Sequence, residues 1–178
     1  MLYKFFRNRF VHQYESASGI SFSTIGLFST ILIIDQVSKI YIRNLFADKN
    51  PGYYISVIGN FFRITFVQNY GAAFGISLFR PKINNIIFIS ISIIAIIIII
   101  YLLLKSQTNW TRYSYTFILA GAVGNFIDRI FFGKVTDFLD FDFPDFIVQR
   151  WYVFNIADAS IVVGITILMI YFIFFEKK

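Results

Sequence analysis

Four long stretches of the chain consist almost entirely of apolar residues, and shorter polar segments separate them. The stretches run from Ile20 to Ile42, Ile86 to Leu104, Tyr113 to Ile130 and Phe154 to Phe175. A helix rises about 1.5 Å per residue, so each stretch covers most or all of the roughly 30 Å hydrocarbon core of a bilayer. The pattern predicts four transmembrane helices in a single membrane domain, residues 1–178.

The loop between the first two spans, residues 43–85, has a pattern of its own. Tyr53 to Ile58 and Phe61 to Gln68 are rich in aromatic and β-branched residues and flank Gly59-Asn60. This spacing predicts a small β-hairpin. The predicted fold class is therefore all-α and integral to the membrane, a four-helix bundle with a small extracytoplasmic hairpin in the first outer loop. The second outer loop, residues 131–153, mixes aspartates with aromatic residues, which is typical of a membrane interface.

Composition supports the membrane assignment and narrows the chemistry. Of the 178 residues, 57% are hydrophobic and only 15% are charged, against roughly 25% charged in a soluble domain. The net charge of +6 comes from basic residues at the ends of apolar segments, a distribution that favours lipid headgroups over nucleic acid. The chain has no cysteine and a single histidine, His12. Disulfides, thiol nucleophiles and multi-histidine metal sites are excluded, and we expect neither metal nor cofactor.

An even number of spans places both termini on one side of the membrane. That side carries the basic residues Lys4, Arg7, Arg9, Lys105, Arg112, Lys177 and Lys178. The positive-inside tendency predicts that it is cytoplasmic. The first span is too long for a signal peptide and no cleavage site follows it, so we expect it to be retained.

Polar residues interrupt three of the four spans near their predicted outer ends. They are Asp35 and Lys39 in the first span, Asn125, Asp128 and Arg129 in the third, and Asn155 and Asp158 in the fourth. A charged group at the centre of a span costs roughly 2.5–3.5 kcal/mol, so such groups need a reason to be there. The topology brings all seven residues to one membrane depth. The second span, a run of isoleucines, is predicted to be scaffold without site residues.

These residues permit more than one function. Asp35 and Lys39, four residues apart, can form a neutralising ion pair on one helix face. Two carboxyl groups that share a proton can activate a water for attack on a peptide carbonyl, and spacing alone pairs Asp128 with Asp158 for this role. The alternatives are a small ion or proton carrier that uses the same acids and a catalytically silent assembly factor.

Five short blocks between Asp35 and Asp158 add a more specific indication. They are Asp35-Gln36-Val37-Ser38-Lys39, Asn69-Tyr70-Gly71-Ala72-Ala73-Phe74-Gly75, Gly124-Asn125-Phe126-Ile127-Asp128-Arg129, Val135-Thr136-Asp137-Phe138 and Phe154-Asn155-Ile156-Ala157-Asp158. In this order the blocks resemble the bacterial lipoprotein signal peptidases, the type II signal peptidases. The resemblance implies a four-helix membrane bundle with an extracytoplasmic β-cradle and both termini in the cytoplasm. It also implies a location in the bacterial cytoplasmic membrane, and we expect the protein to be a monomer.

The resemblance implies a reaction and a set of residues. The reaction is hydrolysis of a prolipoprotein just before its diacylglyceryl-modified cysteine, without metal or cofactor. The catalytic pair becomes Asp137 and Asp158 in place of Asp128 and Asp158. Residues implied to bind substrate or support the site are Asp35, Lys39, Asn69, Gly71, Ala73, Asn125, Asp128, Arg129, Asn155 and Ala157.

Three further expectations concern single side chains. Asn69 and Asn155 are expected to hold the substrate backbone. Arg129 is expected to pair with Asp128 and so to orient the third span. The aspartates that follow Asp137 in the second outer loop are expected to form a solvated acidic edge; they are Asp140, Asp142 and Asp145.

Overall fold

The computed structural model describes residues 20–71, 80–143 and 150–175. It contains four long helices, which are α1 (Phe22–Leu45), α2 (Pro81–Leu104), α3 (Asn109–Phe132) and α4 (Ile156–Phe174). All four are long and apolar enough to cross a membrane, which confirms the predicted bundle. The strands are β1 (Tyr54–Ile58), β2 (Phe62–Asn69) and β3 (Val135–Phe141).

Helices α2 and α3 begin before the predicted apolar stretches, α1 and α3 end after them, and α4 is shorter at both ends than predicted. Capping residues set several of these ends. Ser21 caps α1 by accepting a hydrogen bond from the Thr24 backbone N–H at 3.3 Å, and Thr108 caps α3 in the same way. Pro81 begins α2 five residues before the predicted start, as its fixed φ suits a first helical turn. Gly133 ends α3 with a left-handed φ of 69°, a conformation that favours glycine. Hydropathy alone does not detect such ends.

The three strands form one antiparallel sheet in the order β1-β2-β3. The predicted hairpin is present as β1 and β2. Strand β3, from the second outer loop, was not predicted. A bulge places Thr65 and Phe66 of β2 opposite Phe138. Phe154 pairs with Leu139 on the other side of β3, so the chain that leads into α4 runs alongside the sheet.

Helix α3 packs against the other three helices, and small residues allow its close approach to α4. A Cβ atom at Gly121 would lie 2.7 Å from Ile161 Cγ1 and would also collide with the Ala157 carbonyl oxygen. The sheet packs on the end of α1 through Ile42, Phe46, Phe66 and Phe138. As a result, the C-terminal ends of α1 and α3, the N-terminal end of α4 and strand β3 meet at one end of the bundle.

Candidate active site

Two aspartates at this end of the bundle are joined by two asparagine side chains. Asn155 Nδ2 donates a hydrogen bond to Asp137 Oδ1 at 2.6 Å and another to Asn125 Oδ1 at 3.1 Å. Asn125 Nδ2 in turn donates to Asp158 Oδ1 at 2.7 Å. Asp137 is 2% exposed and Asn155 is fully buried. A continuous polar chain therefore links the carboxylate of β3 to the carboxylate of α4.

The remaining oxygen of each carboxylate also has a donor. Asn69 Nδ2 donates to Asp137 Oδ2 at 3.1 Å, and the Gly71 backbone N–H donates to Asn69 Oδ1 at 2.9 Å. The Asn155 backbone N–H donates to Asp158 Oδ2 at 3.3 Å, while the Asp158 N–H donates back to Asn155 Oδ1 at 2.9 Å. This reciprocal pair is the capping box that begins α4. One motif thus starts the helix and orients Asp158.

A buried cation, Lys39, fixes the orientation of the Asn125 side chain. Lys39 is fully buried, and its Nζ lies 2.9 Å from Asp35 Oδ2 and donates to Asn125 Oδ1 at 3.0 Å. Asn125 Oδ1 therefore accepts from both Lys39 and Asn155. An amide oxygen held by two donors leaves only the amide nitrogen to face Asp158. Asp35 and Lys39 form the predicted ion pair, and Lys39 in addition sets the orientation of Asn125.

Asp128 ties α3 to β3. Its Oδ2 accepts a hydrogen bond from the Thr136 backbone N–H at 2.9 Å and lies 3.8 Å from Lys39 Nζ. Its Oδ1 lies 3.4 Å from Arg43 Nη1, which also donates to Thr136 Oγ1 at 3.1 Å. The geometry thus engages Asp128 with two cations and the start of β3. Spacing along the helices predicts that Asp128 pairs with Asp158, whereas its contacts in the structure are with Lys39, Arg43 and Thr136.

Arg43 and Thr136 were not identified from the sequence. Arg43 follows Lys39 by one helical turn on α1, so the i,i+4 periodicity that indicated Asp35 and Lys39 extends to it. Thr136 lies within a matched block but carries no charge. Only the packing of β3 on α1 and α3 brings it to Asp128.

The expectation that Arg129 pairs with Asp128 is wrong. Arg129 Nη2 donates to the Gly71 carbonyl oxygen at 3.2 Å, and Nη1 donates to the Asn125 carbonyl oxygen at 3.4 Å. Its guanidinium lies 5.4 Å from the centre of the Phe88 ring on α2. The side chain therefore points from α3 towards the loop after β2, because Asp128 faces α1 instead. Asn85 on α2 donates to the Arg129 carbonyl oxygen at 3.2 Å, so α2 contributes polar and aromatic contacts despite its predicted role as scaffold.

Asp35 also positions the beginning of α4. Its Oδ1 accepts a hydrogen bond from the Ala157 backbone N–H at 2.9 Å. A Cβ atom at Gly124 would lie 2.6 Å from Asp35 Oδ2, so this contact between α1, α3 and α4 requires glycine. The predicted supporting residue Ala73 lies outside the described residues.

The predicted solvated acidic edge is wrong for Asp140, while Asp142 is a third exposed and forms an ion pair. Asp140 is 3% exposed, accepts from Thr65 Oγ1 at 2.5 Å and lies 2.6 Å from Arg150 Nη1. Arg150 Nη2 lies 2.8 Å from Asp142 Oδ2. Arg150 neutralises both aspartates. Asp140 also joins β3 to Thr65 of β2. Asp145 lies outside the described residues.

The environment of Asp137 favours its protonated form. Burial raises the pKa of Asp137, and the nearby negative charge of Asp158 raises it further, to about 7. The hydrogen bonds from Asn69 and Asn155 and the charge of Lys39 act in the opposite direction. Near neutral pH this carboxyl group therefore exchanges readily between its acid and base forms.

Comparison with known proteins gives a consistent result. The family described as "Signal peptidase (SPase) II" matches residues 27–174. A lipoprotein signal peptidase of Clostridioides difficile is 40% identical over 146 residues, covering 82% of this chain and 90% of that protein. One from Borrelia turicatae is 42% identical over 153 residues, covering 84% and 89%.

Solved structures also resemble this chain. A bacterial membrane enzyme with 32% sequence identity superposes with a TM-score of 0.73 over 85% of this chain and 87% of its own. A second such structure, with 31% identity, has the same TM-score and covers 90% and 100%.

Proposed function

The chain belongs to the signal peptidase II family, and from that premise we propose that its substrates are diacylglyceryl-modified prolipoproteins, cut just before the lipidated cysteine. The family assignment makes it a multi-pass bacterial membrane protein and an aspartic endopeptidase that removes signal peptides from prolipoproteins. The proposal adds the catalytic pair, the orientation in the membrane and the oligomeric state of the active enzyme.

The proposed catalytic pair is Asp137 and Asp158. The observation that supports it is the amide chain between them, because Asn155 and Asn125 hold the two carboxylates in a fixed relation. Like charges in a buried site favour a state with one carboxyl protonated and the other ionised. Such a pair provides both an acid and a base from aspartate alone. This suits a chain without cysteine and with a single histidine.

The chemical step can be written with these two groups. The ionised carboxylate takes a proton from a water as its oxygen attacks the carbonyl carbon, and the protonated carboxyl donates to the carbonyl oxygen. The tetrahedral intermediate then collapses with breakage of the C–N bond, and the carboxylate that donated its proton takes one back from a hydroxyl of the intermediate. The carboxyl that received the water proton passes a proton to the departing amine. Asn69 donates to Asp137 and so orients that carboxyl group, and Arg129 holds the loop at Gly71.

The position of the pair suits a substrate that stays in the membrane. Asp137 lies on the sheet that covers the ends of α1, α3 and α4, and Asp158 lies in the first turn of α4. The apolar signal helix of a precursor can lie beside the spans while its lipid chains remain in the outer leaflet. We place the sheet outside the cytoplasm and both termini inside, in keeping with the basic residues Lys105 and Arg112 at the opposite end. One chain supplies every group of the site, so we propose that the monomer is active.

The ion-carrier alternative has less support. A conducting route requires polar groups along the length of the bundle. Here the buried acids of the described spans gather at one end, and α2 has no acidic or basic side chain from Ile83 to Leu104.

A gel-shift assay tests the proposed substrate. Purified protein in detergent is given a diacylglyceryl-modified prolipoprotein or the same precursor without its lipid. We expect cleavage of the lipidated precursor alone. Equal cleavage of both would contradict the proposed substrate class. A folded sample that cuts neither precursor, but dissipates a proton gradient in vesicles, would support the carrier.

A further inference from the structure

Five described aromatic residues line an open cavity beside Phe141, the last residue of β3. The cavity has a volume of about 360 Å³ and is lined by Phe61, Phe141, Phe143, Trp151 and Phe154. The Phe141 ring centre lies 5.8 Å from that of Phe61 and 5.9 Å from that of Phe154. We call this cavity the aromatic pocket. Its volume lies at the small end of the range for ligand sites, about 300–1,000 Å³.

Polar contacts join the residues next to the pocket to one another. Arg150 donates to Asp140 Oδ1 at 2.6 Å, to Asp142 Oδ2 at 2.8 Å and to the Asn60 carbonyl oxygen at 3.0 Å. The Trp151 backbone N–H donates to the Phe141 carbonyl oxygen at 3.0 Å. These bonds join the segment at Arg150 and Trp151 to β3 and to Asn60. These contacts restrain the lining residues Phe141 and Trp151, which lowers the entropic cost of ordering them when a ligand binds.

The pocket opens on the same face of the sheet as Asp137. Alternate residues of a strand point to the same face, so Asp137, Leu139 and Phe141 share one side of β3. Phe154, paired with Leu139, lies on that side too. Four residues of strand span about 13 Å, which is the separation along β3 between Asp137 and Phe141. A peptide in extended conformation covers this distance with about four residues.

We propose that the aromatic pocket binds an apolar side chain of the mature part of the substrate, about four residues beyond the cleaved bond. This inference rests on the proposed function. Two residues separate the end of α3 from the start of β3, which runs away from the helices, so a chain that passes Asp137 towards Phe141 leaves the membrane. The signal-peptide side of the cut bond extends in the opposite direction. Every described residue that lines the pocket is aromatic, and we therefore expect an apolar occupant.

The test compares two lipidated precursors that differ only at the fourth residue of the mature part, leucine in one and serine in the other. Cleavage is measured in detergent as kcat/KM for the native sequence, for Trp151→Ser and for Tyr54→Ser. Trp151 is 46% exposed and lines the pocket, while Tyr54 is 49% exposed on the same sheet outside it. The ratio between two precursors cut by one sample does not depend on how much of that sample is folded.

We expect the leucine precursor to be favoured roughly tenfold by the native protein and by Tyr54→Ser, mainly through KM, since one apolar side chain in a pocket gives such ratios. Trp151→Ser should reduce the ratio to below about twofold. Equal kcat/KM for both precursors with the native protein would overturn the subsite and leave the proposed function intact. The same rates are also measured in lipid vesicles. If Trp151→Ser lowers kcat/KM for both precursors equally, and only in vesicles, the pocket binds phospholipid and the proposal is overturned. Failure to cut either precursor would remove the proposed function and the subsite with it.

Discussion

At the scale of single residues, Asn155 combines two tasks. Its Oδ1 accepts from the Asp158 N–H and so begins α4, while its Nδ2 donates to Asp137 and to Asn125. A serine at the same position can still cap the helix, but its hydroxyl is too short to reach both partners of the amide. The residue therefore allows stability and catalysis to be separated.

Asn155→Ser should lower kcat about a hundredfold, because a small misplacement of catalytic groups costs about that much. The melting temperature should fall only modestly, since the cap survives while the buried hydrogen bonds to Asp137 and Asn125 are lost. Kinetics on a lipidated precursor and thermal melting in detergent provide the two readouts. Thr108→Ser, at the cap of α3, is the matched control and should change neither. A native rate in Asn155→Ser would show that the amide does not position Asp137.

Asp137 makes stability depend on pH in a defined direction. Its folded pKa of about 7 lies above its ordinary value of 3.8, so the folded state disfavours the ionised form. The stabilising contribution is present below about pH 4 and is lost as the pH rises through about 7, at most about 4 kcal/mol. Melting temperatures between pH 5.5 and 8.5 should fall less for Asp137→Asn than for the native protein. Asp48→Asn, at an exposed position, should retain the native slope, and an unchanged slope in Asp137→Asn would contradict the assignment.

At the scale of elements, the contact between α3 and α4 depends on the absence of side chains. A Cβ atom at Gly121 would collide with the Ala157 carbonyl oxygen, whereas a Cβ atom at Gly26 in α1 meets nothing within 4 Å. Gly121→Ala must displace backbone, and the shift would move the start of α4 together with Asp158. We expect Gly121→Ala to lower the melting temperature and the cleavage rate. Gly26→Ala should be neutral or slightly stabilising, since alanine is the better helix former. Equal melting temperatures would show that the helices are not closely packed there.

The strands show what local sequence can and cannot predict. The β1–β2 hairpin was predicted because its aromatic and β-branched residues flank Gly59-Asn60. Strand β3 was missed because aspartates at 137 and 140 are unfavourable in strands taken alone. Their partners, among them Asn69 and Thr65, lie about 70 residues earlier in the chain. Tertiary contacts thus override local preference.

At the scale of the whole molecule, the polar end of the bundle was predictable and the pairing within it was not. Hydropathy and an even number of spans place Asp35, Asp128 and Asp158 at one depth. The nearness of Asp137 to Asp158 depends on the return of the chain from β3 to the cap of α4. Spacing along helices carries no information about that return, and only the resemblance to a family indicated it.

The central claim is that Asp137 and Asp158 together carry the hydrolysis. Its most direct test is the rate of cleavage of a lipidated prolipoprotein by Asp137→Asn, by Asp158→Asn and by the control Asp48→Asn, each shown to be folded by its melting temperature. We predict a loss of at least about 10³-fold in each of the first two, within the range of acid–base catalysis, and a native rate in the control. A folded Asp137→Asn or Asp158→Asn that retains a tenth or more of the native rate would contradict the account.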